Sequence, residues 1–144
     1  MKLRLDQDSL NEDFFDNTHL LGIIAPIKNY FFCWQLNNEL GIKFRLNNEV
    51  EIHLRKKKRD YYFNIYEWSE IETSVTHYLY HNQFDGEYLL PEFRNMDFLW
   101  LMKGDMVAKE KLKQIIGGIK NIPSVQLVAE LTTEKIVNKG NMIF

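Results

Sequence analysis

A single cysteine among 144 residues, Cys33, rules out an internal disulfide and gives no sign of an oxidising compartment. Only three prolines and seven glycines occur, and no linker, internal repeat or low-complexity tract divides the chain. No apolar run approaches the roughly 20 residues that span a bilayer. The charged start Lys2-Leu3-Arg4-Leu5-Asp6 lacks the apolar centre of a signal peptide. These absences point to one cytoplasmic globular domain over residues 1–144, without a membrane partner. Neither the dinucleotide fingerprint nor a phosphate loop is present, so no cofactor is expected. Metal ligands are equally sparse. Of His19, His53, His77 and His81, only the last two are close in sequence, and on a strand they would stand roughly 13 Å apart. No metal site is expected from so small a ligand set. Cys33 precedes Trp34 on an apolar helix face and reads as a small buried hydrophobe, and no serine sits in a nucleophile motif. No catalytic residue is assigned.

What the chain does have is aromatic surface: ten Phe, seven Tyr and three Trp, 14% of its residues. Large rings need covering, by the core or by a partner. Its charge, 18 basic against 20 acidic residues, nets −2. Five of the basic residues are consecutive: Arg55, Lys56, Lys57, Lys58 and Arg59. The rest of the chain then carries 13 basic against 20 acidic residues, a balance of −7. An acidic body with one basic knuckle argues against nucleic acid as the main partner. The knuckle is nonetheless the candidate phosphate contact, weighed against a solvated turn that protects an aromatic hairpin from aggregation.

Periodicity gives the elements. Residues 2–5 suit a short edge strand, and His19–Ala25 is a continuous apolar run typical of a buried strand. Pro26 fits the first turn of a helix. Apolar residues at 27, 30, 31, 34 and at 33, 36, 40 then follow helical spacing as an unusually wide stripe, ended by Gly41. A meander follows, with strands at Ile42–Leu46, Glu49–Arg55, Tyr61–Trp68 and Thr73–His81, a turn at Asp85-Gly86 and a short extended piece at Glu87–Leu90. Met96–Met102 reads as a strand. Asp105 suits a helix N-cap, and Ala108, Leu112, Ile115, Ile116 and Ile119 carry a second helix, with Gly117-Gly118 and Pro123 at its end. Val125–Leu131 is a last strand, and Thr132 or Thr133 suits the cap of a short helix through Val137. The fold class expected is α+β: an antiparallel or mixed sheet with two main helices on one face, with a ferredoxin-like arrangement plus extra strands as a candidate.

Taking Tyr61–Trp68 as one strand puts Tyr62, Tyr66 and Trp68 on one face, with Tyr78 and Tyr80 of the neighbouring strand. Rings with polar tips suit a half-wet interface. The leading functional reading is therefore a non-enzymatic interaction module that homodimerises or binds a protein partner. A small-molecule sensor is the alternative, and an RNA-binding domain using the basic hairpin is the second.

One stretch carries a resemblance. Leu89-Leu90-Pro91-Glu92-Phe93-Arg94-Asn95-Met96-Asp97-Phe98 resembles the signature of the bacterial IPExxVDY family, with Pro91, Glu92 and Asp97 matching and Leu90, Met96 and Phe98 standing for its Ile, Val and Tyr. The segment Lys28-Asn29-Tyr30…Cys33-Trp34…Leu36-Asn37 with Leu40-Gly41 is similar to the family's N-terminal half, and Asn141-Met142-Ile143-Phe144 to its ending. The resemblance implies a small cytosolic protein and no particular activity. It makes Pro91, Glu92 and Asp97 the candidate functional stretch. Pro91 would end a short strand, Glu92 would accept backbone N–H groups or pair with Arg94 at the turn, and Asp97 in an apolar strand would need a partner if buried. An acid/base pairing of Glu92 with Asp97 is the competing role.

Overall fold

The computed structural model describes residues 14–15, 17–104, 107–132 and 135–143. The strand expected at 2–5, the Asp105 cap and Thr133 lie outside these. The first strand, β1 (Thr18–Ile24), carries the continuous apolar run. Its Leu20, Leu21 and Ile23 are fully buried because both sheet faces are covered at this position, which removes any need for alternation.

Helix α1 (Asn29–Leu40) begins three residues after Pro26, not on it. The Ala25 N–H is taken by the Asp97 carboxylate and the Ile27 N–H by the Ala25 carbonyl, so the chain bends tightly through Pro26 before the helix starts. Gly41 ends α1 at φ 66, a conformation that costs glycine nothing. Beyond it only β2 (Arg45–Leu46) is strand. Phe44 is buried, and the Asn37 side chain, not a ladder, satisfies its backbone N–H and C=O at 2.8 and 3.0 Å.

The hairpin β3 (Ile52–Lys56) and β4 (Arg59–Phe63) forms a separate two-stranded sheet. The expected strand Tyr61–Trp68 is therefore two strands. Asn64 breaks it, and β5 (Ile65–Ser69) continues in the main sheet. Then come β6 (Thr76–His81), the small hairpin β7 (Gln83–Phe84) and β8 (Glu87–Tyr88), a 3₁₀ turn at Pro91–Phe93, and β9 (Phe98–Lys103). Helix α2 (Lys109–Lys120) runs straight through Gly117-Gly118. Gly118 serves close approach and not capping: a Cβ there would fall 2.0 Å from a terminal methyl of Leu40 on α1. The strand β10 (Leu127–Leu131) and a 3₁₀ turn at Lys139–Met142 complete the described residues. Within the short helix expected over Thr132–Val137, Lys135 is 3₁₀ and its N–H donates to the Thr132 carbonyl at 3.0 Å.

The main sheet has the order β10-β1-β9-β6-β5-β2, and every neighbouring pair is antiparallel. Strands β1, β6, β9 and β10 with α1 and α2 reproduce the ferredoxin-like strand order, and β5 and β2 extend one edge. Both helices pack on one face, where Phe32, Leu36, Leu112, Ile115 and Ile119 meet Leu21, Ile23, Leu79, Phe98 and Trp100. The opposite face is covered as well. Tyr61 and Phe63 of the hairpin, Leu89, Leu90 and Met96 of the loop, and Ile136 and Met142 near the end close over Leu20, Ile65, Tyr80, Leu99 and Leu101. No helix among the described residues is long and apolar enough to cross a membrane.

Candidate functional site

The Pro91–Asp97 stretch is organised by a residue that sequence reasoning passed over. Asn82 follows β6 and is fully buried. Its Oδ1 accepts from the Leu90 N–H at 2.8 Å, and its Nδ2 donates to the Phe93 and Met96 carbonyls at 3.0 and 2.9 Å. Its backbone N–H donates to the Asp97 carbonyl, and its carbonyl accepts from Leu89, both at 2.9 Å. Pro91 opens the 3₁₀ turn at a position where no N–H is required. Glu92 Oε2 accepts from the Val137 and Asn138 N–H groups, each at 2.9 Å. Asp97 Oδ2 accepts from the Ala25 N–H at 2.8 Å. The two carboxylates thus hold different parts of the backbone, the C-terminal segment and the exit of β1. This geometry gives the stretch a structural task and no shared acid/base site. Replacing Glu92 with alanine is expected to remove amide-exchange protection at Val137 and Asn138 and to cost about 1–2 kcal/mol, whereas Glu92→Gln keeps the acceptor and most of the protection.

A second constellation lies under the helices. His77 on β6 is fully buried and stacked on Trp68, with ring centroids 4.3 Å apart. The Trp100 indole N–H donates to His77 Nδ1 at 3.0 Å. Indole nitrogen is donor only, so the histidine proton sits on Nε2 and points at Glu70 Oε2, 2.7 Å away. Lys111 of α2 pairs with the other Glu70 oxygen. Burial pushes His77 below the usual imidazole range, against the pull of Glu70. Burial alone would raise the Glu70 carboxyl, but hydrogen bonds from Lys111 and His77 hold it below its usual value. Both nitrogens of His77 are engaged, so the cluster locks β6, β9 and α2 together and offers the ring to no external group. Burial likewise pushes the Cys33 thiol up to about 11, which leaves it inert. The hollow lined by Leu40, Ile42, Trp68, Trp100, Lys111 and Gln114 holds about 180 Å³. Ligand sites usually enclose roughly 300–1,000 Å³; this hollow falls below that range, while the open surface hollows along Lys43, Glu67 and Ile71 and along Thr73, Val107 and Lys111, at about 550 and 500 Å³, fall within it.

The five rings expected to share one interface face occupy different layers. Tyr66 is buried against the helices, and Trp68 is half-buried on His77. Tyr80 is fully buried on the opposite face, with its hydroxyl donating to the Met142 carbonyl, and Tyr78 is half-buried there. Tyr62, on β4, is exposed. The break at Asn64 puts Tyr62 in a different sheet from Tyr66 and Trp68, and register divides the rest: Tyr66 lies opposite Leu79 and Trp68 opposite His77, so Tyr78 and Tyr80 turn to the other face.

Exposed aromatics lie elsewhere, on α1. Phe32, Cys33 and Leu36 turn inward, while Tyr30, Phe31 and Trp34 are 62, 46 and 59% exposed. Phe31 and Trp34 stack at 5.8 Å. The width of the apolar stripe was the available signal, since a helix lying on a sheet buries only one side.

The basic knuckle divides in two. Lys56 pairs with Glu87 at 3.4 Å and Arg59 with Asp85, so the β7–β8 hairpin neutralises them. Arg55, Lys57 and Lys58 have no ion-pair partner among the described residues. Asp60, opposite Arg55 in the ladder, is bound to His53 at 2.8 Å. Lys57 and Lys58 form the turn itself, at φ 51 and 63. A two-residue hairpin turn of this hand favours Asn-Gly, and a left-handed residue with a Cβ costs roughly 1–2 kcal/mol. No family model matches the chain, and no curated protein matches its sequence.

Proposed function

We propose that this protein is a non-enzymatic interaction module whose contact surface is the outer face of α1, and that its partner is a second copy of the chain. The observation that carries this reading is the solvent exposure of Tyr30, Phe31 and Trp34 on a helix whose other side builds the core. The face is also nearly uncharged: Glu39 is the one residue among Asn29–Leu40 that carries a charge at neutral pH. A twofold contact there would bring ring against ring without opposing like charges. Lys28, 6.0 Å from the Tyr30 ring centroid, would sit at the rim. The likeness of residues 89–98 to the IPExxVDY signature belongs to the same proposal, and the anchoring roles of Glu92 and Asp97 support it as a mark of fold.

Light scattering over a concentration series is expected to show a dimer that dissociates on dilution. Trp34→Ala removes a central ring from the contact and should weaken the dimer at least thirtyfold, the level of an interface hot spot, with the melting temperature of the monomer unchanged. A monomer at every concentration, or a dimer indifferent to Trp34→Ala, counts against the reading.

A further inference from the structure

We propose that the tip of the β3–β4 hairpin is a contact site for single-stranded nucleic acid, in which Arg55, Lys57 and Lys58 take phosphates and the exposed ring of Tyr62 takes a base. This site is independent of the α1 surface. Register explains how the groups come together. In the ladder Ile52 faces Phe63 and Leu54 faces Tyr61, and these four turn toward the main sheet. His53 faces Tyr62 and Arg55 faces Asp60, so they share the outer side of the hairpin with the turn beyond them. The His53 and Tyr62 rings stack at 4.8 Å with an angle of 11°, which fixes the Tyr62 plane. Phe84 approaches Tyr62 edge-on at 6.4 Å, and both rings are about 40% exposed.

A merely solvated turn would not need this construction. Asn-Gly would make the same reversal without strain and leave the flanking charges to keep the hairpin soluble. Instead two lysines hold left-handed backbone conformations, side by side, with a third unpaired cation next to them. The neighbouring hairpin meanwhile neutralises Lys56 and Arg59 and so braces the base of the tip. Strain kept beside unspent charge is a mark of a site that serves something outside the fold. Cations followed by a fixed ring are the two components of single-strand binding, one for the backbone and one for a base. A duplex hides its base faces and would leave Tyr62 unused. An acidic peptide would have no call on it either. The acidic remainder of the body confines the contact to the tip and keeps it strongly dependent on salt.

Fluorescence anisotropy of a short labelled single-stranded RNA tests this on the full chain. Three phosphate contacts at about 0.7 each give a log–log salt slope near −2, so affinity should fall about fifteenfold between 50 and 200 mM salt. The double variant Lys57→Asn with Lys58→Gly removes two cations and relieves the turn. It should melt higher than the native chain, bind at least tenfold more weakly at 50 mM salt, and show a slope near −0.7. Tyr62→Ala should weaken binding at least fivefold with the slope unchanged. Three results would overturn the proposal: no binding at 50 mM salt, displacement by polyglutamate as readily as by unlabelled RNA, or equal binding of the single-stranded RNA by the native chain and by Tyr62→Ala.

Discussion

Replacing Asn82 with alanine is expected to destabilise the protein by about 3 kcal/mol: of the three backbone groups its side chain serves, two lose their partner outright, at about 1–3 kcal/mol each, and the Phe93 carbonyl keeps only the Met96 N–H. The groups are the Leu90 N–H and the Phe93 and Met96 carbonyls. They belong to the loop that covers the face of the sheet opposite the helices, so the loss spreads beyond one turn: Leu89, Leu90 and Met96 are all buried there. Asn82→Asp is expected to be as damaging, since it deletes both donors and places a carboxylate in a site with no exposure. Chemical denaturation by two probes, far-ultraviolet dichroism and tryptophan fluorescence, measures the cost. A loss below 1 kcal/mol would show that the loop satisfies itself without Asn82.

Stability should also fall in mild acid, and His77 should account for much of the slope. In the fold, burial holds its protonated form off. The unfolded chain has no such restraint and takes the proton up as pH drops below about 6.5. Stability therefore declines from there by up to about 1.4 kcal/mol per pH unit for one proton, until the folded imidazole is itself protonated. Geometry adds to the penalty, because a proton on Nδ1 would face the Trp100 N–H across 3.0 Å. Glu70 acts in the same direction at lower pH. Its folded value is depressed, so its contribution is complete above the ordinary value of 4.5 and is lost as pH falls through the folded one. His81, held low by burial against the pull of Asp97, adds the same sign as His77. Thermal melts between pH 7.5 and 5 should show this decline. His77→Phe should melt lower at pH 7.5, having left the Trp100 N–H without its acceptor and Glu70 with Lys111 alone, but should decline less steeply. Equal slopes in the two proteins would remove His77 from the account.

The elements that local chemistry specifies were legible in the sequence. A residue able to adopt φ 66 had to follow Leu40, and Gly41 does. The alternation of Val75, His77 and Leu79 against Thr76, Tyr78 and Tyr80 survives as the two faces of β6. What escaped is non-local. A strand that changes sheets keeps its period of two, so Tyr61–Trp68 carries no mark at Asn64 of the step between layers. That step takes Tyr62 off the main sheet, and the pairing of Tyr66 with Leu79 and of Trp68 with His77 puts Tyr78 and Tyr80 on the opposite face, so the five rings assigned to one surface are divided among three. Asn82 has no motif around it, and its importance arises only when residues 90, 93 and 96 curl back over it. Glu92 and Asp97 stood out correctly as carboxylates in need of partners, but those partners are backbone groups at residues 137, 138 and 25, which no spacing rule connects.

The place of β1 between β9 and β10 bears on how the chain is made. Among the described strands Thr18–Ile24 emerges first, yet its neighbours are residues 98–103 and 127–131. At the ordinary pace of about 5–20 residues per second, translation leaves this apolar ribbon without either flank for about 4–16 seconds. During that interval both of its hydrogen-bonding edges are open to any other extended peptide. Loop-closure entropy then makes the first long-range pairing slow. Newly made copies crowded on one messenger are thus the setting in which this fold is most exposed to mispairing, and β10, the last of the described strands to arrive, covers the second edge of β1.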